Sequence, residues 1–290
     1  MLLDGIVDYA GLFPPAALDM PTAVRNYASY LGDADAWMLG RFVIPVSRLD
    51  ELDAVPNGLP SAPTHPWRLA ALVGAGIETD IARARAFNAS HARRATIDVL
   101  EAKATSIEEI HRIGVAAGDD LTTFVELPAA ADLDPLLAAA KQHGLFAKIR
   151  TGGVVADAFP SAELVARFIR ACLRAGVPFK ATAGLHHPIR AAYRLTYDTG
   201  APSGVMFGYL NVFLAAALMA NGLSDADAVR LLGERDPDAF ELHAGAVGWH
   251  GHRLTPDAAR RVRERVAVSF GSCSFREPVD ELRALALAAT

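Results

Sequence analysis

Two lysines within short apolar segments are the residues of this sequence whose type and setting most directly suggest chemistry. Only four of the 28 basic residues are lysines, and two of them, Lys148 and Lys180, lie in the segments Phe146–Arg150 and Pro178–Thr182. Arginine stays charged under nearly all conditions, whereas a desolvated lysine can lose its proton. A neutral amine adds to a carbonyl group, so these segments favour Schiff-base chemistry.

Carboxylates occur in other apolar segments with the same alternation. Successive side chains of a strand in a parallel barrel face the interior and the helix layer in turn. This alternation predicts a ring of polar side chains that face the barrel interior: Asp8, Asp98, Glu126, Lys148, Arg150, Lys180 and Thr182. A second cation beside Lys148 favours its neutral form, which predicts that Lys180 activates Lys148 and that Asp98 or Glu126 moves the proton. A buried salt-bridge network with a purely structural role is the alternative, although such a network is costly in free energy.

Small residues follow three of the predicted strands. Backbone N–H groups of such segments can converge on an anion, and barrels often bind phosphate near strands seven and eight. The residues expected to contact substrate in these segments are Thr151, Gly152, Gly153, Gly184, His186, Gly271, Ser272 and Ser274. Together with Arg150, which can hold a carboxylate or phosphate or neutralise Glu126, they predict a small anionic carbonyl substrate.

Strands must hold these side chains in place. Apolar runs that alternate with amphipathic stretches along the chain predict alternating strands and helices. Eight strands with intervening helices indicate an α/β fold, a (β/α)8 TIM barrel. The predicted strands are Ile6–Asp8, Arg41–Val46, Arg68–Val73, Thr96–Leu100, Thr122–Leu127, Phe146–Arg150, Pro178–Thr182 and Ala267–Phe270. The predicted helices are Pro21–Leu31, Glu78–Ala89, Ile107–Ala117, Pro135–His143, Ser161–Ala175 and a buried helix, Tyr209–Ala220.

One domain is expected to span residues 1–290, with a helical elaboration at about 191–265 between strands seven and eight. The composition is 52% hydrophobic and 21% charged with a formal charge of −5, which argues against nucleic-acid binding. The uncharged stretch Thr199–Ser224 is interrupted by proline, glycine and asparagine, so no membrane span is expected. Two cysteines, Cys172 and Cys273, are too few for a disulfide framework, and the start lacks a signal peptide, so a cytoplasmic location is predicted.

The two lysine segments, Phe146–Gly153 and Phe179–Gly184, resemble the lysine strands of the deoxyribose-phosphate aldolase family of class I aldolases. Other segments are similar to earlier strands of that family: Val7–Leu12, Phe42–Pro45, Ala71–Gly74, Ile97–Leu100 and Phe124–Glu126. The resemblance runs from about residue 3 to residue 187 and resumes at Ser269–Ser274.

The resemblance implies an aldehyde-lyase of carbohydrate metabolism that works without a cofactor or metal. It implies Lys148 as the Schiff-base lysine, Lys180 as the neighbouring ammonium and Asp98 as the proton-handling carboxylate. It also implies a substrate phosphate close to several small residues: Gly153, Gly184, Ser272 and Ser274. The chain departs from the family at Ile149 and Arg150, at Ala183-Gly184, at His186-His187-Pro188 and in the 191–265 stretch.

Other functions remain open at the level of sequence. His186 with Glu126 could hold a divalent metal in a barrel hydrolase or lyase, although adjacent histidines on a strand face opposite ways. A non-catalytic barrel that binds an anionic metabolite is a third possibility. Cys273 is expected to be a small buried thiol, and His250-Gly251-His252 is expected in a surface or lid loop. The roles of His187, Glu241 and His243, the substrate and a possible homo-oligomer are not fixed by the sequence.

Overall fold

Eight parallel strands close into a barrel, which confirms the predicted (β/α)8 fold. The computed structural model describes residues 2–56, 58–60, 65–243 and 246–288. Its strands are β1 (Val7–Tyr9), β2 (Leu39–Pro45), β3 (Trp67–Leu72), β4 (Ala95–Lys103), β5 (Thr122–Glu126), β6 (Phe146–Arg150), β7 (Phe179–Thr182), β8 (Ala191–Arg194), β9 (Ser203–Met206), β10 (Phe240–His243), β11 (Ala246–Trp249), β12 (His252–Leu254) and β13 (Ala267–Ser272). The barrel order is β1-β13-β7-β6-β5-β4-β3-β2, so the first and last strands pair and close it.

Helices alternate with the strands and cover the barrel. They are α1 (Met20–Leu31), α2 (Leu49–Ala54), α3 (Ile77–His91), α4 (Ile107–Ala117), α5 (Leu133–Gln142), α6 (Ala162–Ala175), α7 (Tyr209–Ala220), α8 (Asp225–Gly233), α9 (Pro256–Arg265) and α10 (Arg276–Ala288). Serine side chains cap the N-termini of two of these helices. Ser106 accepts a hydrogen bond from Glu109 N at α4, and Ser161 accepts one from Leu164 N at α6. In the described part of the chain, no helix has the length and apolar character needed to cross a membrane.

The barrel interior has an apolar floor beneath its polar mouth. Val43, Ala70, Val99 and Phe124 form a separate buried cluster, distinct from the larger core between strands and helices. Phe124 lies 5.5 Å from the Lys180 ammonium, measured to the ring centre. The polar side chains above the floor are therefore held at one end of a solid core and not in an open channel.

The stretch at 191–265 is only partly helical. It contains α7, α8 and α9, but it also contains the β8–β9 hairpin and the three-stranded antiparallel β10–β11–β12 sheet, which the sequence did not predict. Helix α7 is buried along nearly its whole length, and Tyr209 and Phe213 pack on Phe270 of β13. This helix therefore forms part of the helix layer of the barrel itself.

Candidate active site

The two lysines of the neighbouring strands β6 and β7 meet at one carboxylate. Lys148 and Lys180 are register partners, and their side chains are 5% and 1% exposed. Lys148 Nζ lies 2.8 Å from Glu101 Oε2, and Lys180 Nζ lies 2.6 Å from Glu101 Oε1. The two amino groups thus occupy the same end of the barrel and share a single anionic partner.

Two further carboxylates complete this cluster. Asp8 Oδ2 lies 2.6 Å from Lys180 Nζ, and it also accepts a hydrogen bond of 2.7 Å from the hydroxyl of Ser269. Glu126 Oε2 lies 2.9 Å from Lys148 Nζ, and Glu126 Oε1 is 3.2 Å from Arg150 Nε. The structure therefore brings together most of the residues singled out from the sequence: Asp8, Glu126, Lys148, Arg150 and Lys180.

Asp98 does not join this cluster, and the expectation that it faces the lysines is wrong. Its carboxylate is bound by two arginines, at 2.6 Å from Arg41 Nε and 2.8 Å from Arg68 Nη2. It lies three residues before Glu101 on β4, a separation of about 10 Å along a strand. Through these ion pairs, Asp98 links β4 to β2 and β3. Glu101 is the carboxylate that contacts the lysines.

The prediction for Asp98 is wrong because β4 contains a β-bulge. Leu69 of β3 pairs with Ile97, but the next residue, Ala70, pairs with Val99, so Asp98 is an extra residue in β4. A bulge of this kind breaks the strict alternation of side chains. Val99 therefore enters the apolar floor, and Glu101, two residues later, faces the lysines.

A side chain from α3 supports this irregular backbone. Asn88 Nδ2 donates to Ile97 O, and Asn88 Oδ1 accepts from Ile97 N, both at 2.7 Å. These bonds satisfy the backbone groups of a buried residue next to the bulge. Asn88 and Glu101 were both missed from the sequence; an asparagine on the helix before an acid-bearing strand was the available signal.

Ion pairing keeps the three carboxylates and Lys180 in their charged forms. Burial by itself would raise the pKa of Glu101, but Lys148 and Lys180 outweigh it and hold this pKa at about 2. The pKa values of Asp8 and Glu126 are also lowered, since neighbouring cations, chiefly Lys180 and Lys148 respectively, outweigh their burial. Burial would lower the pKa of Lys180, yet Asp8 and Glu101 raise it. Lys180 is therefore a permanent ammonium at neutral pH.

A cavity of about 420 Å³ opens over the lysines at the carboxyl ends of the strands. A second cavity, of about 710 Å³, adjoins it and shares Glu101, Lys148 and Arg150 with it. Lys180 borders only the first cavity. Lys148 is thus the amine that lies where the two spaces meet, with room for a small organic molecule on either side.

The glycine-rich segments after β6 and β7 form one wall of the first cavity. Gly152, Gly153 and Gly184 all line it. Gly184 has φ +70°, and a Cβ added there would lie 2.7 Å from the Phe159 ring, so both its conformation and its packing require glycine. The Thr151 hydroxyl bonds to the carbonyl of Ala183 at 2.7 Å and fastens the two segments together.

The serine hydroxyl groups of β13 and of the segment after it form hydrogen bonds within the protein. The Ser272 hydroxyl lies 3.2 Å from His186 Nδ1, and the Ser274 hydroxyl accepts from Glu277 N. The cations that line the first cavity are Lys148, Lys180 and Arg150, and none comes from these segments. Thr182 and Gly271 also line this cavity.

The two adjacent histidines diverge. His186 lines the first cavity, and burial lowers its pKa to about 4, so it is neutral at pH 7. His187 points to α10 and lies 2.8 Å from Glu281. Within the described ranges, the cluster with metal-ligand spacing contains His187, Glu277 and Glu281, and it includes neither His186 nor Glu126.

Of the other residues noted in the sequence, Cys273 lines the first cavity, whereas Cys172, Glu241 and His250 are not among the residues that line it. Cys172 and Cys273 are buried and free, and burial raises the pKa of both thiols. Glu241 pairs with Arg253 across the small sheet, and His250 lies 3.2 Å from Glu234. The side chain of His243 lies outside what the structure describes.

Comparison with protein-family models, with curated proteins and with solved structures finds no match to this chain. The arrangement of the described side chains is therefore the basis for any functional conclusion.

Proposed function

We propose that this protein is a class I aldolase-type carbon–carbon lyase in which Lys148 forms a Schiff base with a small anionic carbonyl compound. The observation that carries the proposal is the pair of buried lysines that share the Glu101 carboxylate beneath a cavity of about 420 Å³. Two buried ammonium groups are costly to maintain for packing alone. Charged clusters of this kind in a cleft are typical of functional sites.

Differences in contacts and exposure between the two lysines support the roles that we propose for them. Lys180 donates hydrogen bonds of 2.6 Å to both Asp8 and Glu101, and these bonds favour its charged form. Lys148 borders both cavities and is the more accessible amine. Lys148 must lose a proton before it reacts, and the fixed positive charge of Lys180 works in that direction, against the carboxylates of Glu101 and Glu126. Lys148 is therefore the nucleophile, and Lys180 is the ammonium that activates it.

The reaction follows from this assignment. The neutral Lys148 amine adds to the substrate carbonyl to give a carbinolamine, and protonation of its hydroxyl group followed by loss of water gives a protonated imine. A base removes the proton of the β-hydroxyl group, the adjacent carbon–carbon bond breaks, and its electron pair enters the imine to give an enamine and a free aldehyde. Protonation of the enamine and addition of water then release the second product. Glu126 and Glu101, both within 3 Å of Lys148 Nζ, are the groups placed to move these protons.

Arg150 supports the choice of an anionic substrate. Its side chain is 47% exposed at the mouth, and its guanidinium contacts Glu126 through Nε. In the part of the chain that the structure describes, its Nη groups have no hydrogen-bond partner, which leaves them available for a carboxylate or phosphate.

Borohydride trapping tests this proposal. The protein is incubated with acetaldehyde, pyruvate, dihydroxyacetone and dihydroxyacetone phosphate in turn, reduced, digested and examined by peptide mass spectrometry. We expect a reduced adduct on Lys148 that is absent from Lys148→Met and retained in Lys141→Met, a control at an exposed lysine of helix α5. Failure of every carbonyl compound to give the adduct, or the same adduct on the Lys148→Met protein at another lysine, would overturn the assignment.

The role of Lys180 has its own test. In Lys180→Met the positive neighbour is lost, so the Lys148 amine holds its proton more tightly. We expect the rate of trapping to fall at neutral pH and to recover at higher pH. A trapping profile with the same pH dependence as the unchanged protein would remove Lys180 from this role.

A further inference from the structure

Behind the wall of the first cavity, three side chains from two segments converge on one point. Glu277 and Glu281 are four residues apart on α10 and so lie on one face of that helix. His187 comes from the segment after β7. One ligand atom of each residue, the imidazole nitrogen and two carboxylate oxygens, lies within 4.8 Å of the other two.

The imidazole is held in a fixed position. His187 is buried and stacks on Tyr193, with ring centres 3.4 Å apart and planes inclined by 10°. Its main-chain carbonyl accepts a hydrogen bond from Tyr209 N at the start of α7. The Tyr209 hydroxyl in turn bonds to Pro278 O, on the same helix as the two glutamates. The donor set is therefore largely pre-organised.

The two carboxylates have no strong counter-charge. In the described ranges, neither Glu277 nor Glu281 forms an ion pair with lysine or arginine. Glu281 contacts His187, and Glu277 accepts a hydrogen bond of 3.0 Å from the Tyr197 hydroxyl and lies 3.6 Å from His186 Nδ1. Two adjacent carboxylates beside a buried imidazole thus form a negative pocket that a divalent cation would neutralise.

We propose that His187, Glu277 and Glu281 form a zinc-type metal site that joins α10 to the segment after β7. One imidazole and two carboxylates suit zinc, and three protein ligands leave a position for water. In a tetrahedral site, bonds of about 2.0–2.2 Å place the ligand atoms about 3.3–3.6 Å apart. Because the glutamate side chains are 25% and 39% exposed, a small rotation of either side chain closes the remaining gap.

Calorimetry with ZnSO4 on tag-free, chelator-treated protein tests this site. We expect one zinc per chain, binding at least tenfold weaker in the double variant Glu277→Gln/Glu281→Gln, and unchanged binding in Asp53→Asn. Asp53 is a matched control, because it pairs with His91 at 2.9 Å and, among the described residues, the pair belongs to no cluster of three metal ligands. Absence of saturable binding, or equal affinity in the double variant, would overturn the proposal.

Thermal unfolding supplies a second readout. Since zinc binds the folded chain, it should raise the melting temperature of the unchanged protein. It should not raise that of the double variant, whose substituted side chains are partly exposed and whose fold is expected to survive. An equal rise in both proteins would place the bound zinc elsewhere. This site does not depend on the Schiff-base proposal, so either can fail alone.

Discussion

Glu101 is the side chain on which both amines of the cluster depend. Replacing it by glutamine leaves two buried ammonium groups with one carboxylate fewer. We expect Glu101→Gln to lower the free energy of unfolding by about 3–5 kcal/mol, as for other broken buried ion pairs. Urea unfolding measures this loss, and trapping of Lys148 should weaken in the same variant.

Asp98→Asn is the control for Glu101→Gln, because it removes a carboxylate from the same strand outside the lysine cluster. It weakens the contacts with Arg41 and Arg68 and should cost about 1–3 kcal/mol. Trapping of Lys148 should be retained. Loss of trapping in Asp98→Asn, with Glu101→Gln unaffected, would return the proton-handling role to Asp98.

The lowered carboxylate pKa values predict acid sensitivity. A carboxyl group with a lower pKa in the folded state stabilises the fold above its unfolded pKa, and this stability is lost as the pH falls toward the folded value. For Glu101 the window runs from the ordinary value of 4.5 down to about 2. The free energy of unfolding should fall as the pH is lowered between these limits. Its dependence on pH should be weaker in Glu101→Gln. Equal slopes in the two proteins would show that Glu101 does not carry this effect.

At the scale of single residues, the sequence predicts correctly that both lysines face the barrel interior, but it does not identify Glu101 as their shared partner. Alternation in β6 and β7 is regular, so it placed Lys148 and Lys180 on one face. The same rule applied to β4 led to Asp98, because the pairing of Ala70 with Val99 cannot be seen in the sequence of β4 alone. The predicted strand also ended at Leu100, one residue before Glu101.

Among the secondary-structure elements, β4 depends on α3 for its shape. Asn88→Ala would leave the N–H and C=O groups of Ile97 without partners, at about 1–3 kcal/mol for each buried group. We expect lower stability in chemical denaturation and slower trapping of Lys148, since the bulge sets the direction of Glu101. Ser90→Ala on the same helix is the control, because its hydroxyl donates to Ala86 O within α3 and not to β4. An Asn88→Ala protein as stable as the control would show that the bulge needs no such support.

Elements with regular periodicity were predictable, and short irregular ones were not. Strand β6 and helix α4 have the predicted limits because their apolar spacing is regular. Helix α7 also has the predicted limits, because it is a nearly continuous apolar run between Gly208 and Asn221. The β8–β9 hairpin and the β10–β12 sheet were missed. Their strands are only three or four residues long, which is too short to show a period.

Across the whole molecule, Asn211 joins the segments between β7 and β13. It is a polar residue in the apolar helix α7, and its amide donates to Leu231 O and Glu234 O and accepts from Arg190 N. Asn211→Ala would leave these groups unsatisfied and should lower the free energy of unfolding by at least about 2 kcal/mol. Asn221→Ala, at the exposed end of the same helix, should cost far less. Equal losses in guanidinium unfolding would contradict this role.

The barrel as a whole was predictable because eight apolar segments alternate with amphipathic ones. The place of the 191–265 stretch was not, since a buried asparagine and an uncharged helix reveal neither their neighbours nor their layer. Only the folded chain shows that α7 packs on β13 as part of the helix layer.

Closure of the barrel has a consequence for when the lysine cluster can exist. The hydrogen bond from Ser269 to Asp8 links residues 261 positions apart, and Asp8 is also a partner of Lys180. A growing chain on the ribosome that has completed β7 but not β13 lacks the strand that seats between β1 and β7. The ammonium of Lys180 would then remain hydrated, and the buried ion-pair cluster would form only when synthesis reaches the last strand.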